Sequence, residues 1–423
     1  MRNRGKVHAR SFCAGPLLLG IFLAATGNLY AQVRPVEVSV GEKPMSSTHS
    51  VSIDAGGYVY ISGQGGQRPD GSIPGKFEEQ ASQALENIKT VVTAAGLSME
   101  HIVYVQVYLE DVANYDQLNG VFAKYFPATP PARAVLGVSR VSQSSIVINA
   151  VAVRELTGRK AVIPPNYKST EPYSPGILTH DRLFVSAMQG REPLTDTVPQ
   201  DPAAQTDLAL AGLKAVVEAA GLKLANMVFV NPYLTQQIPM KVMNEHYARS
   251  FEFGNTPARA TIEVAALPHN AQIEYTGVAV RDSARRRAIR PKNMPPSPTA
   301  SPCVFAGDTL YCSAKSGFIP GPHGGVYNNS TEGQLRQTMR NQLDNLEEAS
   351  MDFSQVVSTT VYLDNLLDRE AFNKVYAEYF SAPLPSQTLL QQIPSADRSP
   401  DARGHYPDLE QMSLIAVRPA PKN

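Results

Sequence analysis

Residues 257–281 read PARATIEVAALPHNAQIEYTGVAVR, and residues 131–154 read PARAVLGVSRVSQSSIVINAVAVR. Each opens on Pro-Ala-Arg and closes on Val-Ala-Val-Arg after an apolar stretch that reads as a strand. A weaker third version ends in LEQMSLIAVR at 409–418, with Gln387 in the arginine position. Working outward, Ser62, Ser186 and Ser313 recur at spacings of 124 and 127, and Arg133, Arg259 and Gln387 at 126 and 128. A period near 125 residues is the size of a domain, so the repeat predicts a tandem array and not a solenoid.

Each copy has the same local grammar. Two short strands flank a turn (Gly56-Gly57, His180-Asp181, Gly307-Asp308), and a helix follows. In the second copy Asp201 is placed to cap that helix, Pro202 suits its first position, and Leu210, Leu213, Val217 and Ala220 form one stripe before Gly221. A Val/Tyr-rich strand, a second helix and two final strands complete the unit. The order β-β-α-β-α-β-β predicts an α+β fold with both helices on one sheet face. The domains are expected at 32–154, 155–281 and 301–423, with 282–300 as a basic, proline-rich linker.

The N-terminal 31 residues combine Arg2, Arg4, Lys6 and Arg10, the apolar run GPLLLGIFLAAT and a small-residue end. That order predicts a secretory signal peptide, hence export to the periplasm or the medium without stable membrane association after cleavage. The alternative, a membrane anchor, needs a run of about 20 apolar residues. Cleavage would take four of the 38 basic residues and none of the 38 acidic ones, leaving a net charge of −4. Such a chain has no electrostatic footprint for nucleic acid. Cys303 and Cys312 bracket the third copy's turn; they are either opposed and disulfide-bonded or two buried thiols, depending on a one-residue choice of register. No motif for a metal or nucleotide cofactor occurs.

The element order, with SGQ at 62–64, AAGL at 94–97 and 219–222, PAR and IEYTGVAV, resembles the Rid or YjgF-like family, once called the L-PSP endoribonucleases. The resemblance implies a chorismate-mutase-like fold, normally a homotrimer with a cleft at each subunit junction, here joined into one chain as a pseudo-trimer whose domains associate with one another. It also implies hydrolysis of 2-imino or enamine acids to 2-oxo acids and ammonia, as by a 2-iminobutanoate/2-iminopropanoate deaminase, on a small carboxylate-bearing substrate and without a cofactor. By the same resemblance Arg259 clamps the carboxylate, Glu274 positions or activates water, and Tyr173, Ser186 and Thr261 bind substrate. Copy one keeps Arg133, Ser62 and Gly63 but has His49 and Val147 for the tyrosine and glutamate; copy three has Ala300, Gln387 and Gln411. Asn119, Asn244 and Asn373 persist in all three, Asn244 as a binding candidate, although a helix-packing role is the simpler reading.

The chemistry fits those residue types, because a guanidinium fork matches a carboxylate and a carboxylate can accept a proton from water. Valine cannot accept it, and glutamine is a poor substitute. If PHN at 268–270 closes a hairpin, Glu274 lies opposite Val264, about 17 Å along the strand from Arg259. A site would then span two copies. One cyclic hand pairs Arg133 with Glu274, Arg259 with Gln411 and Gln387 with Val147; the other leaves no complete pair. The competing functions are a non-catalytic carboxylate-binding module and, against the acidic charge, a ribonuclease.

Overall fold

The computed structural model describes residues 33–36, 39–40, 43–44, 51–141, 144–165, 167, 171–321, 325–394, 399–401, 404 and 409–419. The expected signal peptide and His49 lie outside these residues. The first domain contains β1 (Arg34–Pro35), the paired β2 (Ser39–Val40) and β3 (Lys43–Pro44), β4 (Ser52–Ala55) and β5 (Tyr58–Gly65). It continues through α1 (Phe77–Ala94), β6 (Ile102–Leu109), α2 (Tyr115–Tyr125), β7 (Ala132–Gly137) and β8 (Ile146–Val153). Its main sheet has the order β1-β4-β5-β8-β6-β7.

The second domain repeats this with β9 (Lys160–Val162), β10 (Gly176–Leu178), β11 (Arg182–Gln189), α3 (Pro202–Ala219), β12 (Met227–Leu234) and α4 (Met240–Ser250). It ends in β13 (Ala258–Arg259), β14 (Ile262–Glu263) and β15 (Ile273–Val280). The third domain has β16 (Arg286–Ile289), β17 (Cys303–Ala306), β18 (Thr309–Ser316), α5 (Thr331–Glu348), β19 (Val356–Leu363), α6 (Arg369–Tyr379), β20 (Ser386–Gln391) and β21 (Glu410–Val417). Three YjgF-like α+β units therefore follow one another, as the period predicts.

One face of each sheet carries the two helices. In the second domain Asp201 accepts from the backbone N–H groups of Ala203 and Ala204, Pro202 opens α3, and Gly221 ends it at a φ of 77° that a side chain would strain. Leu210, Leu213 and Val217 are buried against Val230 and Ile273. The other sheet faces turn on one another. Tyr58 of the first domain, Phe184 of the second and Val357 and Val417 of the third share one apolar cluster, and the equivalent Tyr108, Tyr233 and Tyr362 share another.

Two expectations change and one open choice is decided. Residues 286–289 of the supposed linker form β16, an edge strand paired with β17, so the third sheet begins inside 282–300. Arg286 is drawn in because its guanidinium donates to the carbonyls of Met227 and Asn255 and to the Asn255 side chain. The segments around PHN do not form a hairpin: β12 lies between β14 and β15, with Tyr233 paired to Ile262 on one side and Glu274 on the other. Placing the final strand centrally lets it pair with β11 as well, so both its backbone edges are satisfied. Finally, Cys303 and Cys312 are directly opposed and disulfide-bonded across a two-residue turn.

The fused chain also uses non-identical residues where a homotrimer must repeat one. The first residues of the three equivalent strands β5, β11 and β18 are Tyr58, Arg182 and Thr309, and they meet. The buried Arg182 donates to Thr309 Oγ1 at 2.6 Å and Tyr311 OH at 3.0 Å, with its guanidinium carbon 4.3 Å from the Tyr58 ring centre; Tyr58 OH in turn donates to Asp181. Arg182→Ala removes one partner from a buried charged network, so a loss of about 3 kcal/mol is expected, read as an equivalent shift in denaturant midpoint.

Candidate active site

The cyclic hand is settled by three serines. Ser186 Oγ of the second domain accepts the backbone N–H of Arg133 at 2.8 Å, Ser313 Oγ of the third accepts that of Arg259 at 2.8 Å, and Ser62 Oγ of the first accepts that of Gln387 at 2.9 Å. Ser186 also donates its proton to Ser174 O at 2.6 Å. Ser186, expected to bind substrate, links adjacent domains here and holds the neighbour's arginine strand in place.

The candidate residues therefore divide among three junctions. Arg133, Asn119, Tyr173, Ser186 and Glu274 gather between the first and second domains. Arg259, Asn244 and Thr261 belong to the junction of the second and third, and Ser62 and Gly63 to that of the third and first. Arg259 and Glu274 do not serve one pocket: they lie on strands either side of β12, in register with Val230 and Tyr233 respectively.

At the first junction Arg133 is 2% exposed and caged. Its guanidinium carbon stands 4.8 Å from the Phe122 ring centre, 5.4 Å from Tyr115 and 5.2 Å from Tyr173 of the second domain. Nη2 donates to Asn119 Oδ1 at 2.6 Å and to Tyr115 OH at 3.2 Å, while Nη1 is buried with no hydrogen-bond partner. Stacking and one satisfied edge fix the fork and leave the other edge for a ligand.

Alternation along β15 places Ile273 and Tyr275 in the helix-side core, leaving Glu274 and Thr276 on the face turned towards the first domain, where Thr276 Oγ1 lies 3.1 Å from Tyr104 OH. Glu274 is fully buried; Oε2 accepts from Gln189 Nε2 at 3.2 Å and Oε1 has no partner. Burial pushes its carboxyl up to about 8, only partly offset by Gln189. At the mouth Glu171 bridges the domains, accepting from Tyr115 OH at 3.0 Å and lying 2.9 Å from His269 Nε2. Burial pushes the Glu171 carboxyl up, but His269, Tyr115 and Arg133 outweigh it, so it lies below its ordinary range and ionised.

The other junctions lack parts. Arg259 Nη1 donates to Asn244 Oδ1 at 2.8 Å, but Ala300 replaces the tyrosine and the Gln411 side chain donates to Gln392 at 2.6 Å. At the third, Gln387 and Val147 carry no charge, and a Cβ on Gly63 would come 2.8 Å from Val147 Cγ1. The asparagines are explained by this comparison: Asn119 and Asn244 each hold an arginine, and where Gln387 replaces it Asn373 Oδ1 is buried without a partner. The helix-packing reading is thus corrected. Tyr115, Gln189, Glu171 and His269 escaped sequence reasoning because none recurs between copies. Among the described residues no cluster of three or more His, Cys, Asp or Glu is arranged to hold a metal.

Each of the three domains is similar to known proteins. The model of the family described as Endoribonuclease L-PSP matches residues 42–154, 165–281 and 293–394, so the chain belongs to that family, the Rid or YjgF-like proteins, three times over. Among relatives, a RutC family protein of Pyrococcus horikoshii is 36% identical over 110 residues, 25% of this chain and 87% of its own length. The 2-iminobutanoate/2-iminopropanoate deaminase of Escherichia coli is 36% identical over 112 residues, 26% of this chain and 88% of its own. The crystal structure of yeast Mmf1 is 30% identical and covers 29% of this chain and all of its own, with a TM-score of 0.28.

Proposed function

We propose that this protein hydrolyses 2-imino or enamine acids to 2-oxo acids and ammonia at one site, the junction of the first and second domains. The observation that carries the proposal is a pair of buried, unpartnered polar atoms, Arg133 Nη1 and Glu274 Oε1, brought to one junction from two domains. The E. coli deaminase among the relatives supports the reaction class. Arg133 binds the substrate carboxylate, with Asn119 and the aromatic cage holding the guanidinium still.

With its carboxyl near 8, Glu274 carries a proton at neutral pH. It gives that proton to the imine nitrogen, or to the enamine β-carbon, and either makes the α-carbon a stronger electrophile. The carboxylate then accepts a proton from the water that adds to this carbon. Glu274 passes the proton on to the amine, takes back the hydroxyl proton as the C–N bond breaks, and is restored as ammonia and the 2-oxo acid leave. Export of the mature protein remains part of the proposal; the Cys303–Cys312 disulfide suits an oxidising compartment and supports it.

The test is ammonia release from a 2-imino acid freshly generated by an amino acid oxidase. Ammonia should form faster than in the protein-free blank, with kcat/KM flat near pH 6–7 and falling tenfold per unit above about 8, as the proton on Glu274 is lost. Release no faster than the blank removes the proposal, and a rise through pH 8 replaces its first step with one starting from the carboxylate. At the second junction the Arg259–Asn244 pair without a proton acceptor favours carboxylate binding without turnover.

A further inference from the structure

The three copies differ on the outer face of their first helix, and the difference opens a cavity in only one of them. In the first domain Gln83 donates to Asn87, whose amide donates to Gly65 O at 2.9 Å and Gln67 O at 3.0 Å. In the third domain Gln337 and Asn341 repeat this on Ser316 O and Phe318 O, both at 3.0 Å. The equivalent pair on α3 is Leu208 and Gly212. Glu86 and Thr90 of the first domain, and Arg340 and Asp344 of the third, likewise become Ala211 and Ala215. The amide tie between helix and strand end is gone, and an outer face that is polar twice becomes apolar.

Over that face lies a cavity of about 680 Å³ whose helix wall is Leu208, Ala211, Gly212 and Ala215, with Met188 and Tyr173 beside it and charged lining from Glu171, Arg191 and Asp196 as well. Gly212 forms a close wall, since a Cβ there would meet Met188 Cβ at 3.1 Å. The cavity adjoins the proposed site through two shared residues: Tyr173 also lies against Arg133, and Gln189, another lining residue, holds Glu274. An unsupported apolar helix face joined to a carboxylate clamp fits a ligand with one charged end and one large apolar end.

We infer that this cavity receives the substrate side chain, so that the preferred substrates are 2-imino acids with a bulky aromatic or branched apolar side chain. The inference rests on the proposed deaminase site but is tested separately from it, by binding of the stable 2-oxo acid products. Titration calorimetry of the full chain should give 3-phenylpyruvate at least tenfold tighter binding than pyruvate. The Leu208→Gln/Gly212→Asn double variant rebuilds the amide tie of the sister domains, and Ala215→Phe fills the cavity from its outer side. Each should abolish the preference while leaving pyruvate affinity within about twofold.

Equal affinity for the two acids in the wild type, or a preference that survives in both variants, overturns the inference. Turnover of the alanine-derived imine, measured alongside, reports on the deaminase reading alone. A phenylpyruvate preference without turnover therefore supports the cavity and rejects the reaction, and turnover without the preference does the reverse.

Discussion

Glu274→Gln is expected to lower ammonia release by at least about a thousandfold and, at pH 8, to make the protein more stable. The first effect follows from removing the proposed proton carrier while keeping an oxygen that accepts from Gln189, within the usual range for a general acid–base. The second follows from the same burial. Below the ordinary value of 4.5 the carboxyl is neutral folded and unfolded. From there to about 8 the unfolded chain releases a proton that the folded chain keeps, so stability falls by up to about 1.4 kcal/mol per pH unit. A neutral glutamine escapes that loss. The variant should therefore gain roughly 4 kcal/mol over wild type at pH 8 and almost nothing at pH 4.5, seen in denaturant midpoints at the two values. Equal stability at both would mean that Glu274 is not desolvated as described, and full activity would remove it from the mechanism.

Arg133→Gln should lower kcat/KM by roughly 10²–10³-fold, against less than about twofold for Arg259→Gln, as expected for losing a charged fork at one junction and not the other. The contrast is informative because Arg259 belongs to the domain that carries Glu274 and, by motif, is the better match. Equal losses would imply two working junctions. A loss confined to Arg259→Gln would return the site to a single domain and contradict the hand set by Ser186. Arg133→Gln should also lose 2-oxo acid binding at the first junction, whereas Arg259→Gln should lose only the binding at the second and keep turnover, which separates clamping from chemistry.

Much of this was legible in the chain because it is written locally and three times. The turn at Gly307-Asp308, the cap at Asp201 and the stripe of Leu210, Leu213 and Val217 depend on neighbours a few residues away, and recurrence at about 125 residues turns weak signals into a domain boundary. The candidate arginine and glutamate were reached through the family resemblance, and the contrast between Glu274, Val147 and Gln411 showed which copy keeps the acid.

The tertiary structure alone decided how these parts combine. Sequence spacing is silent on which of two cyclic hands the domains adopt, because both satisfy the same strands and helices; the packing of Ser186 under the Arg133 strand selects the hand that brings Arg133 and Glu274 to one junction. It likewise moved the last strand into the middle of the sheet, a choice made by backbone pairing with β11 and β12 together and not by any residue's own preference. The partners that tune the site, Tyr115, Gln189, Glu171 and His269, occur once each and come from two domains, so only packing brings them together.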